Sequence, residues 1–112
     1  MFFLFKRNKN KNIYIKIQEI DTLLKKFPKR IPVIVQPIQN IYKLKKTKFL
    51  VPKDFTMGNF YYILKQRIKL KNTESLLLYH NNNLVSLTKK INEYLNPSGY
   101  IIIQFGIENT FG

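Results

Sequence analysis

The 112-residue sequence contains no cysteine. That absence excludes disulfide scaffolds, cysteine-ligated zinc and thiol nucleophiles, and it suits a reducing compartment. A lone histidine, His80, leaves no multi-histidine metal site; beside three asparagines it reads as a loop residue. Acidic residues are scarce, and Glu19 and Asp21 read as helix surface rather than as a carboxylate pair for acid–base work. There is no glycine-rich phosphate loop, no internal repeat and no Gly/Ser linker. Without a nucleophile, a metal cluster or a phosphate cradle, the sequence argues against an enzyme and calls for neither metal nor cofactor. Long apolar runs are missing too. The opening MFFLFKRNKNKN is apolar first and basic afterwards, the reverse of a secretory signal, and too short to span a bilayer. The expectation is a cytoplasmic protein with one packed core.

Positive charge is what the chain has in excess: 20 Lys and Arg against 6 Asp and Glu, a net +14. Such a balance suggests an anionic partner, either nucleic acid or a membrane surface. A small basic nucleic-acid-binding protein is therefore the alternative reading. Its weakness is that the charge is nearly all lysine. Arg7, Arg30 and Arg67 are the arginines, whereas base edges are read best by bidentate arginine. Abundant Lys, Asn, Ile, Tyr and Phe also fit an AT-biased coding sequence.

Periodicity orders the elements. Ile17, Ile20, Leu23 and Leu24 have helical spacing, predicting a helix from about Gln18 that stops before Pro28. RIPVIVQ reads as a strand. After the lysine-bearing connector PIQNIYKLKKT comes KFLV, a second strand halted by Pro52. Thr56 is placed to cap a helix whose apolar stripe is Phe60, Ile63, Leu64 and Ile68. SLLLY is a third strand, HNNN a turn rich in residues that tolerate positive φ, and SLTKKINEYL a short helical turn with Ile91, Tyr94 and Leu95 inward. NPSG turns the chain again, and YIIIQF, lacking alternation, predicts a central strand covered on both faces. Helix, two strands, helix, strand, helical turn and strand make an α+β fold of the ubiquitin-like β-grasp type. The expected form is a four-stranded mixed sheet with a packed helix and an N-terminal helical extension. Residues 1–28 form the extension in this reading, and residues 29–112 form the ubiquitin-like domain with its tail.

Three stretches, KRIPVIV, KFLVPKDFTMGNFYYILKQRIKL and IENTFG, closely resemble the autophagy-related protein 8 family of ubiquitin-like modifiers, which includes GABARAP and microtubule-associated light chain 3. The likeness runs from about Phe27 to Gly112. It implies a non-enzymatic modifier joined through the carboxylate of Gly112 to phosphatidylethanolamine during autophagosome formation, and held peripherally on autophagosome membranes when lipidated. It also implies partners: activating and conjugating enzymes, a deconjugating cysteine protease, and receptors and cargo adaptors carrying aromatic-x-x-aliphatic motifs. A residue without Cβ suits a tail that must thread a narrow catalytic channel, and Phe111 would give the processing machinery its grip. Because the chain stops at Gly112, the expected product is ready for activation without prior trimming. Two acyl chains anchor where one is marginal, and surface lysines add attraction to an anionic leaflet.

The resemblance also maps a groove beside KFLV, where an extended peptide can add to an open strand edge. Its first pocket comprises Glu19, Leu23, Pro32, Ile34, Lys48, Leu50 and Tyr100. The second comprises Phe49, Val51, Pro52, Phe55, Phe60 and Ile63. Arg30, Lys46 and Arg67 supply flanking charge that favours acidic peptides. Taken singly, Ile34, Leu50, Phe60 and Ile63 suit any core, and Lys46 and Lys48 any solvated surface; the whole pattern carries the assignment. Relative to the family pattern, the connector after Pro37 and the stretch before NPSG are short. The N-terminus departs most, which suggests that Phe2, Phe3 and Phe5 dip into the bilayer interface while Arg7, Lys9 and Lys11 meet headgroups. Deleting residues 1–12 should then weaken liposome association of the conjugated protein in a flotation assay, and unchanged flotation would discard the idea.

Overall fold

Prolines and asparagines set where this chain turns. The computed structural model describes residues 17–38 and 47–109, with the side chains of the first helix described from Ile20 onward. Helix α1, Ile17–Lys26, ends ahead of Pro28. Strand β1, Arg30–Pro37, and strand β2, Lys48–Pro52, pair antiparallel. Helix α2, Met57–Arg67, follows, then strand β3, Glu74–His80, strand β4, Asn83–Leu84, a 3-10 turn at Ile91–Tyr94, and strand β5, Ile101–Asn109.

The sheet order is β2-β1-β5-β3-β4. β5 lies parallel to β1 and antiparallel to β3, so the last strand is central, as its apolar sequence predicts. The sheet has five strands rather than the expected four. The fifth arises at HNNN, where Asn81 and Asn82 both adopt positive φ and fold β4 back on β3 as a two-residue hairpin. The asparagines announce the turn. Two residues, however, are too few to display a strand's period of two.

Capping fixes the start of α2. The Thr56 hydroxyl accepts the Asn59 N–H at 3.1 Å, and the Asn59 side chain accepts the Thr56 N–H at 2.9 Å. Each satisfies a donor that the first helical turn leaves without an intrahelical partner. α2 then drives Met57, Phe60 and Leu64 into the main core, where Ile31, Val33, Val35, Phe49, Val51, Leu76, Leu78, Ile91, Ile101, Ile103 and Phe105 are also buried. α1 covers the opposite face of the sheet, packing Ile20 with Ile34 and Tyr100. Thus β1 is enclosed from both sides, which accounts for its unbroken run of buried residues from Ile31 to Val35.

β5 departs from expectation here. It is central, but its burial alternates: Ile101, Ile103 and Phe105 are enclosed while Ile102 and Gln104 are half-buried. α1 is ten residues long and its contacts center on β1, leaving part of the same face of β5 uncovered. Leu95 also differs. Ile91 is buried and Tyr94 half-buried, but Leu95 is 39% exposed, because the 3-10 turn ends at Tyr94 and Leu95 is already extended. α1 is held by a close approach to the turn before β5. Gly99 has φ +89°, and a Cβ there would lie 2.9 Å from a Leu24 methyl, so this turn needs glycine twice over.

His80 closes β3 rather than floating in a loop. Its ring meets the Tyr94 ring edge to face at 5.0 Å. Burial lowers its pKa from the usual 6.5, a hydrogen bond to the Tyr94 backbone opposing the shift. The folded state therefore favours neutral imidazole. Between the folded value and 6.5 the unfolded chain binds more protons, so this group's contribution is present above that window and lost as pH falls through it. Thermal melts should show stability dropping on acidification below about pH 6.5, a drop that His80→Phe reduces; identical pH profiles would contradict the assignment.

Candidate functional site

β2 is an edge strand, and its register decides which way its peptide groups point. Pro32 faces Leu50 and Ile34 faces Lys48. Outside the paired core of the same ladder, Lys53 N–H donates to Lys29 C=O at 3.0 Å and Val35 N–H to Thr47 C=O at 2.8 Å. Hydrogen-bonded pairs therefore fall on odd-numbered residues of both strands, because antiparallel ladders alternate. Pro32, which has no N–H, occupies a position where none is required. The peptide groups of Lys48 and Leu50 consequently point away from β1, toward the open edge. The Arg30 guanidinium reaches that edge and donates to the Leu50 carbonyl at 3.3 Å.

Side chains along β2 alternate between the two faces. Lys48 and Leu50 lie on the α1 side, with Pro32 and Ile34 as register partners. Leu23 stands half-buried on α1, and Tyr100 packs with Ile34 and Ile20. Of the residues mapped to the first pocket, Pro32, Ile34, Lys48, Leu50 and Tyr100 are thus brought together on one side of β2. Leu24 rather than Leu23 is the α1 residue packed against their cluster, and the side chain of Glu19 lies outside the described residues. Their exposure sorts them: Ile34, Pro32 and Tyr100 form a buried floor, while Leu50 and exposed Lys48 form accessible walls. Ile20 belongs to the same floor and was missed as a site residue, although its spacing from Leu23 and Leu24 already signalled an inward position.

The second set lies on the α2 side, with one exception. Phe49 and Val51 are buried there, and the Phe49 ring meets Phe60 edge to face at 5.6 Å. Phe60 itself has no exposed surface. Phe49, Val51 and Phe60 are the base of the region and Phe55 packs half-buried against it, while Ile63 is half-buried on α2. By register Pro52 shares the face of Leu50 rather than that of Phe49. At the last turn of α2, Arg67 sets its guanidinium carbon 5.8 Å from the center of the Phe49 ring, within cation–π range.

The edge therefore joins outward peptide groups, an accessible apolar surface on either side, and cations at Arg30, Lys48 and Arg67. This suits an extended peptide with spaced apolar side chains and negative charge nearby. Lys46, Phe111 and Gly112 lie outside the described residues, as do the aromatic and basic residues of the N-terminus. Among the described residues, no helix is long and apolar enough to cross a membrane.

Comparison with known proteins matches residues 15–112 to the family described as "Autophagy protein Atg8 ubiquitin like". Autophagy-related protein 8h of Arabidopsis thaliana is 29% identical over 103 residues, covering 87% of each chain. Human microtubule-associated protein 1 light chain 3 gamma is 34% identical over 110 residues, 91% of this chain and 75% of that one. Among solved structures, Trypanosoma brucei ATG8 superposes with a TM-score of 0.75 at 25% identity, covering 96% of this chain and 100% of the other. Plasmodium falciparum Atg8, in complex with a Plasmodium falciparum Atg3 peptide, superposes with a TM-score of 0.68 at 26% identity, covering 80% and 85%.

Burial predicts how substitutions in the two sets divide. Phe60→Ala should cost about 3–5 kcal/mol in chemical denaturation, since it opens a cavity in the core. Leu50→Ala, at a half-buried wall, should cost far less stability. If both variants unfold alike, the separation of base from wall is wrong.

Proposed function

Because the chain belongs to the Atg8 family of ubiquitin-like autophagy proteins, we propose that it is a modifier conjugated through the carboxylate of Gly112 to phosphatidylethanolamine, and an adaptor whose β2 edge receives aromatic-x-x-aliphatic peptides. The reading is of a carrier and docking platform, not of a catalyst. Its supporting observation is the β2 edge: outward-directed peptide groups at Lys48 and Leu50, apolar surface on both faces, and Arg30 and Arg67 flanking it. The segment IENTFG and a family match over residues 15–112 support the conjugation half.

Each component has a physical task. An incoming strand hydrogen-bonds along β2, and the exchange of Arg30 for a peptide donor on the Leu50 carbonyl lets that guanidinium turn to an acidic residue of the peptide. The aromatic anchor enters beside Lys48 and Leu50 above the Ile34 and Tyr100 floor. The aliphatic residue packs against Phe55 and Ile63. The Atg3 peptide bound by the Plasmodium falciparum relative supports a conjugating enzyme as one such partner. Activation would join the Gly112 carboxylate to the AMP of ATP with release of pyrophosphate. An enzyme thiol would displace AMP to give a thioester, and the lipid amine would displace that thiol to give an amide, which a cysteine protease would hydrolyse. The protein is then cytoplasmic when free and peripheral on autophagosome membranes when lipidated.

Reconstitution with activating enzyme, conjugating enzyme, ATP and phosphatidylethanolamine liposomes tests the conjugation. Wild type should shift to the lipidated form by mass spectrometry, and deletion of Gly112 should abolish the shift; conjugation that persists without Gly112 would sink the proposal. For the groove, titration with an acidic aromatic-x-x-aliphatic peptide should show saturable binding that Leu50→Ala weakens several-fold. Tight binding to duplex or single-stranded nucleic acid that falls steeply with salt, with no peptide binding, would instead favour the basic nucleic-acid reading.

A further inference from the structure

On the β3 side of β5, the β3–β5 ladder stops short of the start of β5. Its final pair is Tyr79 with Gln104, after which β3 turns away through Asn81 and Asn82. Ile101 and Ile102 still pair with β1 but have no partner in that ladder. The space beside them is a cavity of about 250 Å³ walled by His80, Tyr94, Leu95, Asn96 and Tyr100, with Ile102 among its apolar lining. Lys48 and Leu50 of the β2 groove do not line it, whereas Tyr100, in the floor of that groove, does.

Three properties define what this cavity accepts. Size comes first: an apolar cavity of about 150 Å³ admits benzene, and drug-sized ligands occupy about 300–1,000 Å³, so the space suits a single substituted ring. Aromatic geometry is the second. His80 and Tyr94 already meet edge to face at 5.0 Å, and an entering ring can extend that arrangement, since aromatic pairs favour offset or edge-to-face contact. The third is charge. In a chain with 20 Lys and Arg, none of the lining residues is Lys, Arg, Asp or Glu, so the site neither attracts nor selects an ion. Its polar atoms come from neutral groups. The Asn96 side-chain oxygen accepts the N–H groups of Ser98 at 2.9 Å and Tyr100 at 3.2 Å, which holds the wall in place.

We propose that this cavity is a second docking site, which takes one tyrosine side chain from an exposed, uncharged segment of a partner protein. The phenol both donates and accepts a hydrogen bond, matching a lining of Asn96, His80 and the Tyr100 hydroxyl, and its ring rests against Leu95 and Ile102. The two sites differ in charge and meet at Tyr100, which is in the floor of the β2 groove and a wall of this cavity.

Amide chemical-shift titration of the full chain with N-acetyl-tyrosinamide, N-acetyl-leucinamide and the peptide Gly-Gly-Tyr-Gly-Gly tests this. The tyrosine probes should give saturable shifts centered on His80, Tyr94 and Ile102, with affinity at least tenfold above that of the leucine probe. Leu95→Arg, at an exposed position, should weaken them at least fivefold and leave binding of an acidic peptide to β2 intact; Ile102→Trp, filling the space, should likewise weaken the tyrosine probes at least fivefold. The proposal is overturned if shifts are absent or scattered, if leucine binds equally well, or if both variants bind tyrosine as wild type does.

Discussion

The position of β1 is the constraint on which the other parts depend. It pairs antiparallel with β2 on one side and parallel with β5 on the other, while α2 and α1 enclose its two faces. A strand so enclosed must be apolar on both faces, and its neighbours inherit their register from it. The register then decides the chemistry of the edge. With odd-numbered residues taking the ladder bonds between β1 and β2, the imide nitrogen of Pro32 falls where no donor is needed, and the peptide groups of Leu50 and Lys48 turn outward. A slip of one residue would direct them inward and would also exchange the core side chains Phe49 and Val51 for Lys48 and Leu50.

Packing and charge divide the work. Among the described residues the buried core contains no polar or charged side chain, so specificity for a ligand does not come from the interior. It resides in surface groups set against that core. Arg67 over Phe49 and Arg30 on the Leu50 carbonyl place positive charge at both margins of the β2 edge, whereas the cavity beside the start of β5 is lined by neutral groups. One small sheet thereby presents one cationic region and one neutral one, a difference that the net charge of +14 conceals.

Local chemistry was legible where a single residue type answers a single backbone need. Pro28 ends α1, Thr56 caps α2, and Asn81 and Asn82 supply positive φ. The central place of β5 was legible as well, from an apolar run too dense for a solvated strand. Features that depend on how far one element covers another were not. The half-burial of Ile102, the exposure of Leu95 and the existence of β4 follow from the reach of α1, the end of a 3-10 turn and the length of a hairpin, none of which leaves a periodic trace. The candidate groove was legible only as a pattern resembling a family, since Phe60 and Leu50 are the same kind of apolar letter yet one is enclosed and the other reachable.

By itself, then, the amino-acid order determined the identity and succession of every element but β4, because capping, turn formation and amphipathic spacing act within a few residues. Tertiary structure decided which peptide groups of β2 face outward, which apolar side chains stay accessible, and where a cavity remains beside Ile102. Those properties arise from register and coverage between segments tens of residues apart, and no local preference of the chain encodes them.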